Sequence, residues 1–157
     1  LKLKYDFITK IINSNINEFM KLIKNMEFVN PDEDYDKFCE MNITNEKRRA
    51  MSLFLTNLYK NEVVSLDTLL INITNLQNMI VDETSINDKN KQMELEELSE
   101  NLYVMLTNID KLVLKSSDKW VQIYNNIVKI KTIDTKIHPG VSHKCKFKHM
   151  DIYDKTE

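Results

Sequence analysis

A chain of 157 residues with net charge -2, a single Gly and two Pro excludes several classes at once. Gly-rich phosphate loops cannot be built from one glycine, the chain as a whole offers nucleic acid no attraction, and turn-rich all-β folds lack their turn residues. The hydrophobic fraction of 42% comes mainly from Leu, Ile and Met, which favour helices, and the length is about that of one domain. We therefore expect an all-α domain spanning residues 1–157. The two cysteines, Cys39 and Cys145, and the lack of an apolar run of about 18 residues point to a soluble chain in a reducing compartment, the cytoplasm. The chain opens on Leu1 rather than Met, so a preceding part is expected.

Charge is unevenly placed. Glu27 to Glu40 holds six acids and one Lys, Asp82 to Asp118 nine acids and four Lys, and Lys119 to Met150 seven Lys against Asp134 alone. All three histidines, His138, His143 and His149, fall in that last, basic stretch.

In chain order, Phe7, Ile8, Ile11, Ile12, Ile16, Phe19, Met20 and Ile23 recur at helical spacing and predict a first helix over Tyr5 to Lys24. An acidic, partly ordered connector follows, in which Tyr35, Phe38 and Met41 could ride a short turn. Thr44 or Asn45 can cap a second helix, with Met51, Phe54, Leu55 and Leu58 on one face. Lys47, Arg48 and Arg49 then load its first turns, against the helix dipole, either as a solvated end or as a contact for an acidic partner. Ser65 caps a third helix through Leu66, Leu69, Leu70, Ile73, Leu76 and Ile80, ending at Asp82 and Glu83. A fourth carries Leu95, Leu98, Leu102, Met105, Ile109 and Leu112 up to Ser116, and fits a bundle helix or a short coiled coil. Ser117 caps a fifth with Trp120, Ile123, Tyr124, Ile127 and Ile130. Leu69, Ile73, Leu76, Leu98, Leu102, Met105, Ile109, Ile123 and Ile127 are the expected core.

After Pro139 and Gly140, Ser142 caps a sixth helix with Val141, Cys145, His149 and Ile152 on one face. Phe147 lies about 200 degrees from Cys145 on a helical wheel, so we expect it to point outward among Lys144, Lys146 and Lys148; the alternative is burial under another helix. Short connectors between these helices imply antiparallel neighbours, in an α-solenoid or a closed bundle.

Catalytic chemistry finds little support. Glu94, Glu96, Glu97 and Glu100 have the placement of a solvated helix face. Cys145 and His149, four apart, with His143 and His138 near, could form a metal site or a Cys nucleophile of a small hydrolase, but the spacing is not that of a zinc finger; a buried thiol and imidazole is the other reading. Lys129, Lys131, Lys136, Lys144, Lys146 and Lys148 form the only basic concentration and could contact RNA phosphates weakly, Lys129, Lys131, Lys144, Lys146 and Lys148 foremost. No catalytic residue, cofactor, metal, membrane contact or small-molecule substrate is expected.

Val141 to Asp154 resembles the final helix of the middle domain of eukaryotic translation initiation factor 4 gamma, which reads Ile-Ser-Ser-Arg-Ile-Arg-Phe-Met-Leu-Gln-Asp-Val. Val141, Ser142, Lys144, Cys145, Lys146, Phe147, Asp151 and Ile152 match or are conservative; His143, Lys148, His149 and Met150 depart. Lys47 to Ser52, leading into Phe54 to Lys60, looks like the family's Arg-Arg-Arg-Ser-Leu-Gly leading into Phe-Ile-Gly-Glu-Leu-Phe-Lys. Ile12 to Met20 resembles its Leu-Asn-Arg-Cys-Gln-Lys-Glu-Phe. The connector before the second helix is shorter here, and the region from Asp82 to Lys91 longer. The resemblance implies a HEAT-like stack of antiparallel helix pairs of which this chain is the C-terminal half, and a non-enzymatic scaffold of translation initiation. Its partner would be a DEAD-box RNA helicase of the initiation factor 4 A type, met through Phe147, Lys146 and Asp151 on the last helix and through Phe38, Arg48 and Arg49. Related middle domains act as adaptors in mRNA decay or splicing, which leaves those settings as alternatives.

Overall fold

The computed structural model describes residues 1–157 and is all-helical, with no strand. Its helices are α1 (Lys2–Lys24), α2 (Tyr35–Lys60), α3 (Leu66–Ile86), a 3-10 turn (Lys89–Lys91), α4 (Gln92–Leu106), α5 (Lys111–Ser116), α6 (Trp120–Thr132) and α7 (His143–Thr156). No helix is long and apolar enough to cross a membrane. Contacts divide the chain into two compact units, Leu1–Met51 and Ser52–Glu157.

In the first unit α1 buries Phe19 and Ile23, whereas Leu3, Tyr5, Phe7, Ile8 and Ile11 on its opening turns are exposed. The second helix begins well before the expected Thr44. Asp34 caps it, its side chain accepting from the Lys37 amide at 3.0 Å and its carbonyl from the Phe38 amide at 3.0 Å. Satisfying these otherwise unpaired amides extends the helix back through the acidic connector. Lys47, Arg48 and Arg49 therefore lie in the helix interior rather than in a first turn. Lys47 meets Glu18 of α1 at 2.7 Å, and the ammonium holds the Glu18 carboxyl below its ordinary range. A cleft of about 250 Å³ in this unit is lined by Asn25, Glu27, Val29, Lys37, Glu40, Met41, Thr44 and Arg48.

The second unit is built from two helical hairpins, α3–α4 and α6–α7. α3 packs on α4 and α6, and α7 packs on α4 and α6, so each helix has two neighbours. The expected core is buried at every position: Leu69, Ile73, Leu76, Leu98, Leu102, Met105, Ile109, Ile123 and Ile127. Several buried polar side chains are paired across or along helices, which offsets their desolvation. Gln77 donates to the Ile123 carbonyl at 3.1 Å, which ties α3 to α6. Ser52 donates to Asn101 Oδ1 at 2.6 Å, while the Asn101 amide donates to the Glu97 carbonyl and carboxylate.

Caps read from the sequence hold at two helices. Ser65 accepts from the Thr68 amide at 3.1 Å and Ser142 from the Cys145 amide at 3.1 Å. α3 runs on to Ile86, where Asn87 ends it in the left-handed conformation at φ 59, which Asn tolerates better than most residues. The expected fourth helix breaks into α4 and α5. Thr107 and Asn108 bond back to the Tyr103 and Val104 carbonyls, and Asp110 caps α5 through the Leu112 and Val113 amides, so Leu112 leaves the apolar line and is 75% exposed. Such side-chain bonds compete with continued helix.

One end of the two hairpins is closed by their connectors. Asn87 donates to the Ile137 carbonyl at 3.0 Å and accepts from the Gly140 amide at 3.4 Å, while Gln92 donates to the Pro139 carbonyl at 2.6 Å. Gly140, the sole glycine, passes so close to Asp88 that a Cβ there would lie 2.8 Å from its carbonyl oxygen.

Candidate functional site

α7 divides by wheel position into four strips. Cys145, His149 and Ile152 form its buried line, as expected, joined by Thr156. The Cys145 thiol meets the Ser99 hydroxyl at 3.2 Å, and burial pushes it up to about 11, so at neutral pH it is a protonated thiol and a poor nucleophile or ligand. Burial pushes the His149 imidazole down to about 4, against the raising effect of its 3.0 Å contact with the Cys145 carbonyl. His143 is exposed. No three His, Cys, Asp or Glu side chains converge where a metal could be held.

The strip facing α4 is a row of lysines, each engaged. Lys144 pairs with Glu96 and Lys148 with Glu100, both at 3.2 Å, and Lys155 contacts the Tyr103 hydroxyl. The one-turn spacing of Lys144 and Lys148 meets the same spacing of Glu96 and Glu100 on α4. Glu96 and Glu100 therefore face the seam between helices, not open solvent as expected for that acidic face; Glu97 is buried.

The strip facing α6 carries Lys146 and Tyr153. Lys146 donates to the Ile133 carbonyl at 3.0 Å, capping the end of α6. The Tyr153 ring lies 5.8 Å from that of Tyr124, which lies 5.7 Å from that of Trp120, and Lys131 sits 2.9 Å above the Tyr153 centroid. Hydrogen bonds to Glu157 first, then Tyr124, raise the Tyr153 phenol above its ordinary range. Trp120 is half-buried at this seam.

The outermost strip holds His143, Phe147, Met150, Asp151 and Asp154. Phe147 is 58% and Met150 41% exposed, and the His143 and Phe147 rings stack at 6.1 Å. Phe147 thus points outward as expected, but its neighbours are an imidazole, a thioether and two acids; the lysines turn to either side. Asp151 is exposed beside it.

The five expected phosphate-binding lysines are not one surface. Lys144 and Lys148 are paired to α4, Lys131 and Lys146 lie along the α6–α7 seam, and exposed Lys129 projects from the other side of α6, about 160 degrees from Lys131. In the first unit Phe38 is half-buried on the first turn of α2. Arg48, expected to meet a partner, is instead 1% exposed. It donates to the Leu22 carbonyl at 3.3 Å and to Asn45 Oδ1, which holds the guanidinium inside the unit. Arg49 is half-buried. Sequence reasoning missed the Trp120–Tyr124–Tyr153 seam, although the i, i+4 spacing of Trp120 and Tyr124 was a legible signal; Tyr153 joins them only through the packing of α7 on α6. No family model, curated protein or solved structure matches this chain.

Proposed function

We propose that the chain is a non-enzymatic helical scaffold of translation initiation, working in the cytoplasm, that holds a DEAD-box RNA helicase against the outer strip of α7. The observation that carries this is Phe147: a large ring 58% exposed, on the side of α7 opposite its buried line, and stacked only on His143. A folded chain gains nothing by presenting such a ring to water, whereas a partner that buries it gains an anchor of about 2 kcal/mol or more. Asp151 beside it offers a carboxylate to a basic group on the partner, matching the residues through which Val141 to Asp154 resembles the middle domain of initiation factor 4 gamma. The paired hairpins α3–α4 and α6–α7 are compatible with the last two steps of a HEAT-like stack, and RNA contact along α6 and α7 is a secondary, weaker activity.

The test is Phe147→Ala in the full chain, measured against a purified initiation-type DEAD-box helicase. Affinity should fall by at least about tenfold while folding stability changes by less than about 1 kcal/mol. A stable variant that binds the helicase normally refutes the role. Loss of several kcal/mol of stability would also refute it, since the lost binding would then follow from unfolding.

A further inference from the structure

The seam between α6 and α7 has an unusual lining. Trp120, Tyr124 and Tyr153 run in a row at ring spacings of 5.7 and 5.8 Å. All three are half-buried. Two lysines stand at one end of the row, Lys131 over the Tyr153 ring and Lys146 at the Ile133 carbonyl. Glu157, whose carboxylate acts on the Tyr153 phenol, has its main-chain oxygen held by Lys115. The row therefore has two cations at its Tyr153 end, with Glu157 as the acid beside them. Of the other α7 lysines, Lys144 and Lys148 are neutralised by Glu96 and Glu100, Lys155 is turned to Tyr103 of α4, and Lys129 faces elsewhere. Lys131 and Lys146, neither of which meets a carboxylate, thus adjoin the aromatic row.

From this lining we infer that the α6–α7 seam is a single-stranded RNA site, in which unpaired bases stack on Trp120, Tyr124 and Tyr153 while the backbone phosphates follow Lys131 and Lys146. Stacking on a row of rings flanked by lysines is tolerant of sequence, because every base has a flat face, and the lysines supply a contribution that weakens as salt rises. A duplex keeps its bases covered and offers the rings nothing. Lys131 already lies on a ring face, so an incoming base displaces it from the ring toward a phosphate. This inference rests on the RNA part of the function proposed above and is independent of the helicase.

Trp120 is the only tryptophan and reports on the seam directly. Titrating the full chain with a labelled single-stranded oligouridylate at low salt, followed by anisotropy and Trp fluorescence together, should show binding with matching quenching of Trp120. Tyr153→Leu should weaken binding by about fivefold or more, and Lys131→Gln should weaken it and reduce its salt dependence. The pair Lys144→Gln and Lys148→Gln should leave affinity unchanged. Thermal melting of each variant separates lost binding from lost fold, and Lys131→Gln, which removes no core contact, keeps the test decisive if Tyr153→Leu unfolds. Binding without quenching, binding that survives Lys131→Gln but not the Lys144 and Lys148 pair, or equal quenching by duplex RNA overturns the seam while leaving RNA contact standing. Absence of any binding at low salt overturns both.

Discussion

At the scale of single residues, Cys145 and His149 show how one helix face can imitate a reactive centre and be a core instead. Their spacing matches that of a ligand pair, and only the packing of α7 reveals that both are buried, Cys145 against Ser99. A thiol pushed up to about 11 should be slow toward alkylating agents at neutral pH. In the folded chain half-buried Cys39 should react first and Cys145 only on unfolding, which mass spectrometry after a timed iodoacetamide pulse would read. The imidazole carries a sign that can be worked through. Its folded value of about 4 lies below an unfolded value of about 6.5, so the unfolded chain takes up the proton first as pH falls. Stability from this group is fully present above about pH 6.5 and is lost progressively toward pH 4, on the order of 3 kcal/mol in all. Melting curves of the wild type and of His149→Leu across that window should diverge, the variant lacking this limb of the acid sensitivity.

At the scale of elements, the serine and glutamate positions explain how α7 is seated. Ser142 accepts from the Cys145 amide and donates to Glu96 at 2.6 Å, so it is both a cap and a cross-helix tie. Ser142→Ala should cost about 1 to 2 kcal/mol, measured by urea unfolding. Replacing Lys144, Lys146 and Lys148 together by Gln removes two ion pairs and the tie to the end of α6. Their partners imply a loss of about 1 to 2 kcal/mol, read by urea unfolding. Periodicity found α3, α6 and α7 because their apolar residues recur without interruption. It missed the start of α2, where the signal is a cap at Asp34 inside an acidic run, and the break after Leu106, where the apolar spacing continues through Leu112 although the backbone does not. Charge pattern located the lysines but could not show which glutamates they meet, since those lie on α4, about 50 residues away in sequence.

At the scale of the whole molecule, the core and the surface separate cleanly. Leu102, which is fully buried, should cost about 2 to 5 kcal/mol on truncation to Ala, and native-state hydrogen exchange should rank α4 among the slowest amides. The opening turns of α1, exposed from Leu1 to Ile11, should exchange fastest, because few buried contacts oppose their opening. That contrast follows from burial alone. The all-helical class and the identity of the core were legible because both depend on local periodicity. The two-unit division and the α6–α7 seam were not, because both depend on which distant elements meet.

The connector clasp around Gly140 has a mechanical counterpart at the opposite end of the hairpins. At the clasp, backbone carbonyls and amides of one connector are tied to Asn87 and Gln92 of the other, with no room for even one added carbon at Gly140. The far end is held by Lys119 to Asp67 at 2.6 Å, a pair whose Asp side chain is 65% exposed, and by Lys115 at Glu157. Exposed ion pairs weaken with salt and tight neutral hydrogen bonds do not. The paired hairpins therefore behave as tongs riveted at one end, and rising ionic strength should loosen only the tips.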